Sequence, residues 1–325
     1  MEDQIITSDF STRKVEELSL KIRSEISKVV IGQVETIDLL IAGLFTGGHI
    51  ILEGVPGIAK TLTAKMLAQT VSAKFSRIQF TPDLMPSDIL GASVFNLKTS
   101  EFVFNHGPIF ANIVLIDEIN RAPAKTQSAL FEVMEENQVT IDGQCFAMEQ
   151  PFFVVATQNP IEQEGTYRLP EAQMDRFLFK LKLQYPGLSE ELEILKRFKN
   201  DFKQNLTSDV QPVCSVSDLA ECKKIIEQVH IKDELLQYIA EIVHATRING
   251  ELFLGASPRA SLAIMKTSKA IAAMSGRDFV TPDDIRLVCV PVLNHRVVVQ
   301  PEKEMEGKQT ENVILEILEG ISIPR

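Results

Sequence analysis

Apolar residues along the chain change their spacing near residues 185–190. Before Tyr185-Pro186-Gly187 they form short runs that alternate with helical stretches, and after Ser189-Glu190-Glu191 the sequence is helical almost throughout. His49 to Leu52 predicts a short strand that enters a Gly/Pro turn, after which Lys60 and Thr61 open an amphipathic helix. Residues 113–116, Ile-Val-Leu-Ile, are apolar without interruption and mostly β-branched. A run of that kind predicts a central parallel strand buried on both faces. Phe152 to Ala156 predicts a third strand, and Phe177-Leu178-Phe179 opens another. In the second half, Leu235, Leu236, Ile239, Ile242 and Val243 share one helical face. Thr281-Pro282-Asp283-Asp284 supplies an N-cap, a proline at the first position and an acidic first turn. The pattern predicts an α/β nucleotide-binding core with a parallel sheet flanked by helices over residues 1–187, and an all-helical lid over 188–325.

Two short segments interrupt the core. Val94 to Phe104 places Phe95, Leu97, Phe102 and Phe104 around Lys98-Thr99-Ser100, the pattern of a hairpin. Val139 to Phe146 contains Asp142-Gly143, the pair favoured in a two-residue hairpin turn. Either hairpin can edge the sheet or project from it.

Candidate chemistry sits where the predicted strands end. Gly54-Val55-Pro56-Gly57-Ile58-Ala59-Lys60-Thr61 follows a strand and opens a helix, the setting a phosphate-binding loop requires. Backbone N–H groups of such a loop face an anion, Lys60 can reach the β- and γ-phosphates, and the Thr61 hydroxyl can hold Mg²⁺. Ala59 stands where the pattern expects glycine, at a small steric cost. Asp117 and Glu118 end the 113–116 run, at the strand tip where open α/β sheets bind ligands. Asp117 can bind Mg²⁺ through water, and Glu118 can accept a proton from an attacking water. Asn159, in Thr157-Gln158-Asn159-Pro160, is an amide at a third strand tip that can orient that water or touch the γ-phosphate. Arg176 precedes the Phe177 run, and Arg259 follows Gly255-Ala256-Ser257-Pro258 at a helix start.

Taken together, the chain resembles the MoxR-type AAA+ ATPases. The matching stretches are GVPGIAKT, FTPDLMPSDILG, HGPIFANIVLIDEINRAP, ATQNP, LPEAQMDRF and GASPRA, in the family's order and across most of the chain. Alanine before the loop lysine is usual in that family. The resemblance implies that Lys60 and Thr61 are the Walker A pair, and Asp117 and Glu118 the Walker B pair. It makes Asn159 sensor 1, Arg176 the arginine finger and Arg259 sensor 2, with Val30, Ile31 and Gly32 packing on the adenine. Lys60, Mg²⁺ and Arg259 would then neutralise the phosphates of ATP or ADP. The hairpins correspond to the family's helix-2 insert and pre-sensor hairpin, which in relatives point toward the pore or a substrate. A finger acts on a neighbour's nucleotide, so the active unit is expected to be a homo-oligomeric ring, a hexamer by resemblance. Arg121 and Arg168 are rivals for the finger. The family's chaperone members also imply a protein partner with a von Willebrand factor A domain.

Composition narrows the alternatives. The 325 residues are 45% apolar and 24% charged, which is ordinary globular usage. Four cysteines lie far apart with no C-x-x-C pair, and the five histidines lack metal-ligand spacing, so all nine are expected to be structural. No apolar run reaches membrane-span length, and Met1 to Phe10 does not match a signal peptide, which points to a cytoplasmic protein. A net charge of −11 disfavours bulk attraction to nucleic acid. A protein remodeller that hydrolyses ATP comes first, ahead of a nucleotide-switched assembly platform with incidental turnover and, further behind, a nucleic-acid motor.

Overall fold

The structure is a computed structural model that describes residues 3–98, 100–160, 166–167, 169–199 and 209–324. Its strands of four residues or more are β1 (Ile50–Glu53), β2 (Phe75–Gln79), β3 (Gly91–Asn96), β4 (Glu101–His106), β5 (Ile113–Asp117), β6 (Gln138–Ile141), β7 (Gln144–Ala147), β8 (Phe153–Gln158) and β9 (Phe179–Lys182). Five of them form one parallel sheet in the order β9-β1-β8-β5-β2. Helices of ten residues or more are α1 (Asp3–Ser27), α2 (Val34–Thr46), α3 (Lys60–Gln69), α4 (Ala124–Glu136), α5 (Leu188–Phe198), α6 (Val216–Gln228), α7 (Asp233–Ile248), α8 (Pro258–Met274), α9 (Pro282–Leu293) and α10 (Thr310–Gly320).

Alternation along each strand divides the apolar runs between two cores. Ile50, Leu52, Ile113, Leu115, Phe153 and Val155 face α1, α2, α3 and the helices after Leu188. Ile51, Val114, Ile116, Val154 and Ala156 face the other way, onto Leu130, Phe131 and Met134 of α4. The unbroken run at 113–116 therefore reports burial on both faces, as expected. The first core continues from the sheet through α1 and α2 into α8 and α9 without a polar break. In α7 the inward face holds Leu235, Tyr238, Ile239, Ile242, Val243 and Thr246, while Leu236 is turned outward and exposed. Four of the five positions on the expected stripe are therefore buried, and Leu236 is not.

Two buried polar side chains brace the sheet. His49, just before β1, accepts from the Val154 N–H at Nδ1 (3.1 Å) and donates from Nε2 to the Met134 carbonyl (3.2 Å). That pairing fixes one neutral tautomer, and burial pulls the His49 pKa down to about 4. After α9, Arg296 is almost wholly buried. It donates to Asp175 Oδ1 (2.8 Å) and to the carbonyls of Leu178 (3.1 Å) and Phe177 (2.5 Å), fastening the lid to the approach to β9. Asn294 adds a bond to the Lys180 carbonyl at 3.0 Å.

The two predicted hairpins are present as β3–β4 and β6–β7, and each forms a two-stranded sheet of its own rather than an edge of the main one. They pack on each other. Phe104 lies 4.4 Å from Phe146 between ring centroids, His106 lies 4.3 Å from Phe110, and Ser93 donates to Asp142 at 2.6 Å. Phe95 and Phe102 pair edge to face at 5.2 Å, and Phe102 and Leu97 are strongly exposed. Cys145 of β7 is exposed, while Cys214, Cys222 and Cys289 are buried thiols whose pKa burial pushes up to about 12.

Candidate functional site

The C-terminal tips of β1, β5 and β8 converge on an open pocket of about 510 Å³. Its floor is the loop between β1 and α3. Gly57 (φ +87°) and Ala59 (φ +65°) both adopt the left-handed conformation, which turns successive backbone N–H groups toward one side. A Cβ at Gly57 would meet nothing within 4 Å, so the backbone angle rather than space favours glycine there. Ala59 bears its Cβ in that conformation at a cost of about 1–2 kcal/mol, and its carbonyl accepts the Thr63 N–H (2.8 Å) to start α3. Gly54, Val55, Pro56 and Ile58 complete the loop. The Lys60 ammonium curls over it, donating to the Gly54 carbonyl and, at 3.0 Å, to that of Val55.

Thr61 and Asp117 meet directly. The Thr61 hydroxyl donates to Asp117 Oδ1 at 2.8 Å. Asp117 is buried and also accepts from Arg77 Nε (2.7 Å) and the Thr157 hydroxyl (3.2 Å). Thr157 in turn accepts the Glu118 N–H at 3.0 Å. Glu118 is non-glycine at φ +57°, a strained backbone that re-aims its side chain after the strand ends. Its carboxylate accepts from Gln79 (2.9 Å) and pairs with Arg121 (3.0 Å). Asn159 is buried on the pocket wall. A hydroxyl and a carboxylate 2.8 Å apart, beside a lysine and a left-handed N–H loop, fit a nucleotide phosphate and its Mg²⁺.

Val30, Ile31 and Gly32 form the turn between α1 and α2, on the flank of the loop. Gln33 ties that turn to the loop by donating to the Ile58 carbonyl at 3.3 Å. Gly32 has φ +71°, and a Cβ there would lie 2.1 Å from the Glu190 carboxylate of α5.

Arg176 and Arg259 are elsewhere. Neither lines the pocket. Arg176 donates to the Phe131 carbonyl (2.8 Å) and forms an ion pair with Glu135 of α4. Arg259, at the start of α8, reaches the same carboxylate at 2.5 Å. Its expected place beside Lys60 is therefore not where its side chain lies. The helix start is held there because Ser257 donates to Asp175 (2.9 Å) next to Arg176. Of the rival fingers, Arg121 is engaged with Glu118 of its own site, and Arg168 lies outside the described residues.

Sequence reasoning missed Arg77, Gln79, Thr157 and Glu135. Arg77 and Gln79 sit on β2, whose register sets Gln79 beside Asp117. A polar side chain one strand away has no linear spacing to betray it. Thr157 was visible as the residue two before Asn159, but only the fold brings its hydroxyl between Asp117 and Glu118.

Two family models match parts of the chain. Residues 49–179 match the family model described as "ATPase family associated with various cellular activities (AAA)", and residues 244–317 match the AAA lid domain. The chain is 46% identical to the uncharacterized protein YeaC of Bacillus subtilis, over 92% of each chain. It is 42% identical to Chaperone MoxR1 of Mycobacterium tuberculosis, over 93% of this chain and 81% of that one. A crystal structure from Cytophaga hutchinsonii, named there as a candidate ATPase, superposes with a TM-score of 0.90 at 42% identity, covering 99% of both chains.

Proposed function

This chain belongs to the MoxR family of AAA+ ATPases, and on that premise we propose that it binds ATP with Mg²⁺ and hydrolyses it in a ring of identical subunits. The single observation that carries this reading is the Thr61–Asp117 contact of 2.8 Å inside a pocket that also holds Lys60 and Glu118. Phosphoryl transfer to water asks a protein for position and charge more than for covalent chemistry. Thr61 and Asp117 would hold Mg²⁺, which supplies charge neutralisation across the β- and γ-phosphates. Lys60 would move from the loop carbonyls to the phosphate oxygens. Asn159 would orient the attacking water, and Glu118 would take its proton. Val30, Ile31 and Gly32 would flank the adenine.

Arg176 is the proposed arginine finger. Arg176 and Arg259 do not line their own pocket and pair with Glu135 instead, which supports a role toward the nucleotide of a neighbouring copy. The turnover is proposed to remodel or mature a protein partner, one with a von Willebrand factor A domain by family. An assembly platform draws one observation to its side: Gln79 and Arg121 already hold Glu118, a restraint on the base within the protomer. Phosphate release measured with Mg²⁺ and after chelation, with Glu118→Gln as control, decides the matter. Chelator-insensitive release that survives Glu118→Gln would end the hydrolytic reading.

A further inference from the structure

Glu135 has no part in the pocket, yet two guanidiniums from different parts of the chain converge on it. Arg176 approaches from the segment before β9, and Arg259 from the first turn of the lid helix α8. The Arg259 pair is open, with its side chain 52% exposed, and adds little to stability. Two like charges brought together also repel, so the arrangement is not explained by holding the fold. The neighbouring contacts are more definite. Asp175 accepts from Ser257 at the start of α8 (2.9 Å) and from Arg296 after α9 (2.8 Å), and Arg176 beside it shares Glu135 with Arg259 of α8. Phe131 supplies a carbonyl to Arg176 at 2.8 Å from one turn before Glu135 on the same helix. Arg176 Nε is buried without an acceptor among the described residues. The result is two cationic forks sharing one carboxylate, with Arg176 and Glu135 lining a separate pocket that Glu132, Glu136, Ser128 and Gln173 complete.

We propose that Glu135 is a positioning residue that pre-assembles Arg176 and Arg259 into one cationic pair, presented to the terminal phosphate held by a neighbouring copy. This rests on the reading of the chain as a ring ATPase with Arg176 as its finger. A carboxylate offers two oxygens to two guanidiniums, as a phosphate edge does, so the free pair already holds the spacing that the phosphate requires. Pre-ordering two long side chains removes part of the entropy cost of capturing the phosphate. It also ties the finger to the lid, because Arg259 comes to Glu135 only when the start of α8 is docked on Asp175.

The test uses the full chain and reads steady-state phosphate release, affinity for a fluorescent ATP analogue, and ring size by light scattering. Glu135→Gln is expected to lower turnover on the order of 10-fold, with analogue affinity and ring size at wild-type values. Glu135→Asp, which keeps the charge but withdraws it by one methylene, is expected to keep the ring and lose part of the turnover, less than Glu135→Gln. Arg259→Ala should cost less in the Glu135→Gln background than in wild type, the non-additivity of groups that act as a unit. Turnover within two-fold of wild type in Glu135→Gln, or above it, overturns the proposal. The latter result would make Glu135 a competitor of the phosphate. If Glu135→Gln loses the ring, Glu135→Asp decides alone: an intact ring with a partial loss of turnover supports the role, and wild-type turnover overturns it. Arg176→Ala run in parallel separates the two levels. Full turnover there sinks the finger assignment itself, whereas a dead Arg176→Ala beside an unaffected Glu135→Gln sinks only the role of Glu135.

Discussion

The phosphate pocket and the arginine clasp handle charge in opposite ways. In the pocket, every charged group has partners drawn from its own protomer: Asp117 has three donors, Glu118 has two, and Lys60 leans on loop carbonyls. At the clasp, two arginines crowd one carboxylate at the surface. The first arrangement forms completely within one folded chain. The second gathers two guanidiniums from different parts of the chain on one shared carboxylate. On the proposed reading, one copy folds the binding site and a second copy completes the chemistry.

The sharpest way to break that contrast is at Arg176. Arg176→Ala is expected to bind ATP with wild-type affinity and lose turnover by about 10³-fold, the scale of a missing arginine finger. Mixed with inactive Lys60→Ala protein, it should regain partial activity, because some interfaces then join an intact loop to an intact arginine. If the mixture stays inactive while mixed rings demonstrably form, the two sites do not work across a boundary as proposed. Glu118→Gln comes next. It keeps the shape and removes the proton acceptor, so turnover is expected to fall by roughly 10²-fold or more while ATP still binds. Near-normal phosphate release would move the base to another residue.

Lys60→Ala tests the other side of the comparison, since it strikes binding rather than turnover. Loss of a charge-assisted contact predicts an ATP affinity weakened by about 10- to 100-fold in calorimetry. An unchanged affinity would remove the phosphate assignment from the loop. The smallest expected effect lies beneath both regions, at His49. Its folded pKa of about 4 is below the unfolded value of 6.5. The unfolded chain therefore takes up a proton first as pH falls, so the stability is present above pH 6.5 and is lost on the way down toward pH 4. Between pH 7 and pH 5 this one group should cost about 2 kcal/mol in urea unfolding. His49→Gln should flatten that slope; an equal slope in the variant would assign the pH dependence to other groups.

Particular segments show where sequence suffices. Ile113 to Ile116 announced a central strand because burial on both faces leaves no polar position in the run. Asp142-Gly143 announced a hairpin because few other pairs accept its turn. The glycine, lysine and threonine of the loop are a local device, so their spacing along the chain is also their spacing in the fold. Arg77 and Thr157 escaped notice because Asp117 recruits them from adjacent strands, and strand order is a property of the whole sheet. Arg259 was visible as a helix-start arginine, but its destination was not. Whether such a side chain meets its own phosphate depends on how the lid docks, and that docking is decided by Arg296 and Ser257 on Asp175.

Arg296 has a mechanical consequence. A guanidinium sealed between two domains, with carbonyls of Phe177 and Leu178 as its partners, acts as a rivet rather than a hinge pin. Parting the domains there would strand a buried charge away from water, a cost far above that of rotating an exposed linker. Lid and sheet then travel as one block. In the proposed ring, a stroke driven by the nucleotide would then appear as a change of tilt between one block and the next, with the joints lying between copies.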